Sequence, residues 1–225
     1  MVRVFIKNGP CGAEEFFKSL GTESKTYVLQ DCFEKTSVTF QELRDELRDI
    51  MDESTLSKRL TELTNMGLLD KVRYANMPPV RTVYRVTQKA IDLNSVFEAM
   101  RDFHSQWGPA ESGCIITWIA CTKKLLGSRW NARIIWLLFV LRSVRFNELK
   151  NSIEGVSFKM LTQQLRYLEC EGVILRKDFH ENPPHIEYSL TKKGDTLYEI
   201  MLLIAKWNSQ YGKANGNMGT QNSVV

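Results

Sequence analysis

Four polar side chains, Lys159, Gln163, Arg166 and Tyr167, share one side of a stretch whose other side is leucine. Leu161, Leu165 and Leu168 fall at i, i+4 and i+7, an apolar stripe at the 3.6-residue period of a helix. With that stripe turned inward, the four polar groups point out, Thr162 sits at the margin and Ser157 stands at the start. An ammonium, an amide, a guanidinium and a phenol suit phosphate oxygens and base edges. The same face on a domain that docks proteins would be a solvated surface, and the pattern alone does not separate the two.

The neighbouring elements decide what could position such a face. Phe146, Leu149 and Ile153 mark a short helix that breaks at Gly155, and Gly172 stops the leucine helix just beyond Leu168 and Cys170. Residues 173–179 and 185–190 read as an extended pair around Glu-Asn-Pro-Pro at 181–184, whose prolines suit a turn and would not suit a central strand. Helix, turn, helix and hairpin in that order is the winged-helix arrangement, whose second helix enters the major groove of DNA.

The chain states this pattern twice. Leu20 and Phe40 answer Leu126 and Phe146 at an offset of 106; Leu56, Leu60, Leu63 and Gly67 answer Leu161, Leu165, Leu168 and Gly172 at 105; Thr87 answers Thr191 at 104. Matching helix and turn positions with loop-sized drift indicate two copies of one unit. The expected architecture is therefore mainly α with small β-hairpin wings: tandem winged helix-turn-helix domains over 1–108 and 109–212, divided at the Gly/Pro cluster of 107–113, and a polar tail over 213–225 expected to be disordered. In copy one, helices are expected over 11–20, 25–34, 40–49 and 54–66, with Ser54 as N-cap of the last, wing strands over 69–74 and 81–87, and a long helix over 90–106. In copy two they are expected over 114–126, 130–142 and 192–211; the second of these is apolar nearly all round and belongs in the middle of a core.

Composition bounds the partners. At 43% hydrophobic and 25% charged the 225 residues are ordinary for a globular protein, and the longest apolar run, 134–141, is too short to span a membrane. The opening residues lack the apolar core of a signal peptide, so an intracellular protein is expected. Net charge is +4, but residues 1–108 hold 15 Lys+Arg against 16 Asp+Glu whereas 109–225 hold 15 against 10, so copy two is the basic one. Five cysteines without a CxxC pair argue against both a disulfide framework and a cysteine zinc site, and Cys32 and Cys170 read as packing on apolar faces.

Copy two resembles the HxlR branch of the MarR-like transcription regulators. The resemblance rests on Leu-Gly-Ser-Arg-Trp at 126–130, Arg-Phe-Asn-Glu-Leu at 145–149, Ser-Phe-Lys-Met-Leu-Thr-Gln-Gln-Leu at 157–165, Leu-Glu-Cys-Glu-Gly at 168–172, Asn-Pro-Pro at 182–184, Glu-Tyr-Ser-Leu-Thr at 187–191, and Gly194. Copy one is similar more loosely: it keeps Phe40, Glu42, Leu43, Leu60, Leu63, Gly67, Pro78, Pro79, Tyr84 and Thr87, but has Glu23 and Ser24 where the family has a basic residue and Trp. The resemblance implies double-stranded DNA as partner, no cofactor, and dimerisation through terminal helices, so that two fused copies look like a pseudo-dimer on one chain. It also implies a redox role for Cys11, whose distance to Gly21 matches the family's sensing cysteine; copy two has Thr117 there, and Glu14 and Glu15 would oppose a lowered thiol pKa.

Superposing the leucine stripes sets Ser54, Lys58, Thr61 and Glu62 against Lys159, Gln163, Arg166 and Tyr167, with Arg59 as a second cation in copy one. Lys71, Arg73 and Arg81 flank the first wing, and Arg176, Lys177, His180 and His185 flank the second. These are the candidate DNA contacts. The two histidines have too little around them for a metal site, and nothing in the chain forms a nucleophile, base and orienter set, so neither a metal nor an enzyme activity is expected. Two other readings share the fold: a tandem winged-helix scaffold that binds protein, and a redox- or ligand-controlled sensor whose small-molecule effector the sequence does not name. Further self-association is compatible with all three.

Overall fold

A computed structural model describes residues 12–20, 23–35, 37–74, 81–109 and 113–212. Copy one runs α1 (Ala13–Leu20), α2 (Glu23–Lys35), β1 (Ser37–Thr39), α3 (Phe40–Leu47), α4 (Glu53–Asn65), β2 (Leu69–Tyr74), β3 (Arg81–Val86) and α5 (Gln88–Trp107). Copy two repeats it with α6 (Ile115–Leu126), α7 (Arg129–Leu141), β4 (Ser143–Arg145), α8 (Phe146–Ser152), α9 (Phe158–Cys170), β5 (Ile174–Asp178), β6 (Ile186–Leu190) and α10 (Lys192–Tyr211). Both units are winged helix-turn-helix folds, mainly helical, as expected.

Each wing is a three-stranded sheet rather than a bare hairpin. The order is β1-β3-β2 in one copy and β4-β6-β5 in the other, all antiparallel, with Val38 opposite Tyr84 and Val144 opposite Tyr188. The added strands are three residues long and lead straight into α3 and α8, which is too short for an alternating pattern to show. A second correction concerns the start of α4. Its cap is Asp52, whose carboxylate accepts from the Thr55 N–H at 2.7 Å, and Ser54 lies inside the helix.

The helix ends show how literally the repeat is built. α4 and α9 close on Gly67 (φ 69°) and Gly172 (φ 68°), left-handed positions that a Cβ would strain. In both, the following N–H returns to the helix: Leu68 to the Leu63 carbonyl at 3.0 Å, Val173 to the Leu168 carbonyl at 2.8 Å. Thr87 and Thr191 then cap α5 and α10 while their hydroxyls donate to the Gly67 and Gly172 carbonyls, both at 2.7 Å. Lys89 and Lys193 finish the corner, their ammonium groups donating to the Met66 and Glu171 carbonyls at 2.8 and 2.9 Å.

The two copies share one core. α5 packs against both α6 and α10, while α1 lies on α10, α6 and α7, so the long helices that close the two units meet each other. Val96, Phe97, Met100 and Phe103 of α5 and Leu197, Ile200, Met201 and Ile204 of α10 are all buried. Trp207 locks the seam: its ring meets Phe16 edge-on at 5.9 Å, its Nε1 donates to the Lys89 carbonyl at 3.0 Å, and the Lys89 ammonium stands 5.3 Å above it. Beside it the Tyr211 hydroxyl (2.6 Å) and the Gln210 amide (3.1 Å) both donate to Asp92. The Tyr211 hydroxyl, with the Gln88 and Gln210 amides, holds the Asp92 carboxyl below the usual range, and Asp92 in turn pushes the Tyr211 hydroxyl up. Within copy two α7 is central, packed on α10, α9 and the sheet, with Phe139 stacked on Tyr198 at 3.7 Å. No described helix is long and apolar enough to cross a membrane.

Removing the Trp207 ring leaves a hole between copies that neither can fill alone. Trp207→Ala is expected to lower unfolding stability by about 3–5 kcal/mol, the usual range for a buried aromatic truncated to alanine. Denaturant unfolding followed by circular dichroism checks it; a loss under about 1 kcal/mol would show that the seam does not support the fold.

Candidate nucleic-acid interface

α9 forms because Ser157 caps it, accepting from the Met160 N–H at 3.1 Å, and because its leucines find a core. Leu161, Leu165 and Leu168 are at most 2% exposed. The opposite face carries Lys159, Gln163 and Arg166, at i, i+4 and i+7. All three are exposed, and among the described residues none of them has a hydrogen-bond or ion-pair partner. An outward cation, amide and guanidinium with nothing to bind inside the chain are free to bind outside it. Thr162 is half-buried and donates to the Phe158 carbonyl at 2.9 Å.

Tyr167 departs from the expectation. Its ring is half-buried and its hydroxyl donates to the Lys124 carbonyl at 3.2 Å, next to the Lys124–Glu171 ion pair; burial pushes the phenol's pKa up. It braces α9 against α6. Cys170 is likewise exposed rather than packed, while Cys32 is fully buried, and burial pushes its thiol up to about 12. Cys11 lies outside the described residues.

The second wing is organised around His185. Phe179 stacks on its ring at 4.3 Å and the Lys177 ammonium sits 4.5 Å above Phe179. Nδ1 is 2.9 Å from Glu181 Oε2 and Nε2 is 2.7 Å from Glu187 Oε1, so only the imidazolium donates to both carboxylates. Arg145, 3.0 Å from the same Nε2, prefers the neutral ring. The carboxylates win: the Glu187 and Glu181 hydrogen bonds raise the His185 pKa above its ordinary 6.5 although Arg145 opposes them. Glu187 is correspondingly lowered, chiefly by the Ser143 hydroxyl and then by His185. His185 is thus a structural part of the wing. His180 is exposed at φ 53°, its N–H donating to Asp178, which also pairs with Arg176 at 3.2 Å. Lys177 and Arg176 are both exposed on β5, on opposite faces of the strand.

Copy one presents a different surface. Ser54 and Lys58 are exposed, and among the described residues Lys58 is without a partner, but Arg59 is tied down: its guanidinium donates to Glu62 at 2.8 Å and to the Ser24 hydroxyl at 2.9 Å, and Lys25 closes on the same carboxylate at 3.1 Å. Ser24 stands where copy two has Trp130, whose ring is covered by Arg129 at 4.2 Å. The entry to α4 is acidic, with Asp52 as cap and Glu53 next to it, Glu53 within 3.4 Å of Arg44. Between Thr39 and Met66 the acids are Glu42, Asp45, Glu46, Asp49, Asp52, Glu53 and Glu62, against Arg44, Arg48, Lys58 and Arg59. A carboxylate at a helix N-terminus is favoured by the helix dipole and disfavours a phosphate at the same place. On the first wing Lys71 and Arg73 are exposed on β2, with the Lys71 ammonium 5.9 Å over Tyr84, and the backbone of Arg81 pairs with Tyr74.

Two residues near the interface escaped the sequence reading. Phe158 is 66% exposed at the first position of α9, where helical periodicity marks neither core nor polar face. Arg145 precedes α8 and reaches the wing through His185, a pairing across 40 residues that no local pattern signals. Among the described residues no three His, Cys, Asp or Glu side chains gather as a metal site.

Because its folded pKa is raised, His185 contributes stability that is full below pH 6.5 and lost as pH rises through the folded value. Its NMR titration midpoint is expected above 6.5, and Glu187→Gln is expected to lower it. A midpoint at or below 6.5 would contradict the two-carboxylate geometry.

The chain matches a family model described as HxlR-like helix-turn-helix over residues 20–112 and again over 125–216. Its relatives include the regulatory protein MalR of Fusobacterium mortiferum, 39% identical over 92 residues covering 41% of this chain and 87% of MalR. Another is the HTH-type transcriptional regulator YybR of Bacillus subtilis, 35% identical over 99 residues covering 44% and 76%. Among solved structures, the reduced form of the transcriptional regulator YodB from B. subtilis is 32% identical, covering 44% of this chain and 95% of that one at a TM-score of 0.41. The redox regulator HypR in its oxidized form is 34% identical, covering 41% and 94% at 0.38. Matched twice along its length, the chain belongs to the HxlR-like helix-turn-helix family of DNA-binding transcription regulators.

Proposed function

We propose that the protein is a sequence-specific regulator that grips double-stranded DNA as a single-chain pseudo-dimer, its units dividing near residue 108. The observation that carries this reading is the unpartnered Lys159, Gln163 and Arg166 row on α9, set on a core that joins the two copies through α5 and α10. In this reading α9 enters the major groove, Gln163 and Arg166 meet base edges, and Lys159 and Ser157 meet phosphates. Arg176, Lys177 and His180 lie along the backbone beside it. His185 and Tyr167 support the surface from within.

Copy one supplies mainly geometry. Lys58, Lys71, Arg73 and Arg81 give it a weak phosphate grip, while Arg59 is spent on Glu62 and the acidic entry to α4 repels a phosphate. The balance of −1 over residues 1–108, from 15 Lys+Arg and 16 Asp+Glu, against +5 over 109–225, from 15 and 10, points the same way. The contrast between α9, whose outward Lys159 and Arg166 are unpaired among the described residues, and α4, whose Arg59 is neutralised by Glu62, supports DNA over a protein-binding scaffold.

Lys159→Ala with Arg166→Ala is expected to weaken binding to a selected duplex by roughly 2–5 kcal/mol, at 1–3 per lost contact with non-additivity allowed for. Lys58→Ala with Arg59→Ala should cost clearly less at the same salt concentration. An equal or larger loss from the copy-one pair would assign the grip to the wrong domain.

Affinity of the intact chain for duplex DNA should also fall steeply between 50 and 200 mM salt, by about a thousandfold if six or so phosphates are neutralised. An affinity indifferent to salt would favour the protein-binding scaffold.

A further inference from the structure

Phe158 is the most exposed large apolar side chain among the described residues, at 66%, and it stands at the entry to the recognition helix. It follows the cap Ser157 and precedes Lys159, both exposed. Helix-turn-helix proteins bring the N-terminal residues of this helix to base edges, so whatever Phe158 meets lies in the groove. Its ring does not float free. It lies 4.8 Å from the ring of Phe146, tilted 52°, and Phe146 is itself half-buried at the start of α8. The helix that supports α9 therefore holds the ring outward.

A phenyl ring can neither donate nor accept a conventional hydrogen bond. Of the groups displayed in the major groove, one is apolar: the C5 methyl of thymine. Cytosine presents an amino group and a bare C5 carbon, adenine and guanine present only polar edges, and a phosphate offers a phenyl ring nothing. Taking the DNA-binding reading of α9 as given, we propose that Phe158 is a specificity-determining residue that packs its ring on a thymine methyl. The contact belongs to copy two alone. The matching position in copy one is Glu53, a carboxylate held by Arg44, which would select against the same base edge.

The methyl can be deleted without touching a hydrogen bond. In a duplex selected by the full-length chain, each thymine is replaced in turn by 2′-deoxyuridine and affinity is measured at one salt concentration. One position is expected to lose about fourfold, the worth of one buried methyl. Phe158→Ala should bind the unmodified duplex at least as weakly as the native chain binds that uracil duplex, and should no longer distinguish thymine from uracil there. Phe158→Leu, which keeps an apolar side chain, should retain part of the discrimination and shows that the loss is not one of folding. Indifference of the native chain to every uracil, or a uracil effect of full size persisting in Phe158→Ala, overturns the inference while leaving DNA binding intact. Failure of the native chain to bind any duplex overturns the DNA reading itself, and the contact with it.

Discussion

The rest of the molecule depends on the seam between α5 and α10. A winged helix of about a hundred residues has only a small core, and its closing helix keeps an apolar side that must be covered. Here each copy covers the other. Trp207 fills the junction with Phe16; its indole N–H donates to the Lys89 carbonyl, the Lys89 ammonium donates to the Tyr211 carbonyl, and the Tyr211 hydroxyl donates to the Asp92 carboxylate. These groups are thereby satisfied, and burying them costs little. Lys89 is also the residue that secures the end of α4 through the Met66 carbonyl, so the seam and the first helix-turn-helix share a side chain. The relative placement of α4 and α9 thus follows from packing.

On that shared frame the two helix-turn-helix units have diverged in charge and not in shape. The glycine turns, threonine caps and lysine clamps are superposable in kind and within a few tenths of an ångström in length. The outward faces are not. α9 offers side chains without partners among the described residues, and α4 has folded its guanidinium into a Lys25–Glu62–Arg59 cluster and put carboxylates at its entry. The cluster neutralises charge that this surface could otherwise offer to a phosphate. A homodimer cannot separate framework from reader in this way, because a change in one head is a change in both. A fused pair can.

Much of this was legible in the sequence, and the failures have a common cause. The leucine stripes, the glycines that follow them, Thr87 and Thr191 are signals carried by neighbours in the chain, and each predicted its element. The nearly all-apolar α7 belongs at the centre of its core for the same reason. What was missed depends on residues brought together by folding. Helical phase puts Tyr167 outside, and Arg59 reads as a second cation of copy one; the Lys124 carbonyl in one case and Glu62 with Ser24 in the other draw them back. His185 looked like a free wing residue because the wing turn folds Glu181 back onto it and Arg145 reaches it from the neighbouring strand. Strands β1 and β4 are too short to carry a period, and Asp52 outcompetes Ser54 as a cap by position, a choice of two residues that composition does not make. Phe158 carried no signal, since one exposed aromatic is neither a stripe nor a charge pattern.

The central claim is that one chain carries two heads at a spacing fixed by its own core. Hydroxyl-radical footprinting on the selected duplex, with the chain-to-duplex ratio measured by sedimentation, tests it most directly. One chain per duplex should protect two patches on the same face about one helical turn apart, roughly 34 Å, with the stronger protection under copy two. Two chains per duplex for the same two patches, or a single short patch under one chain, would contradict it.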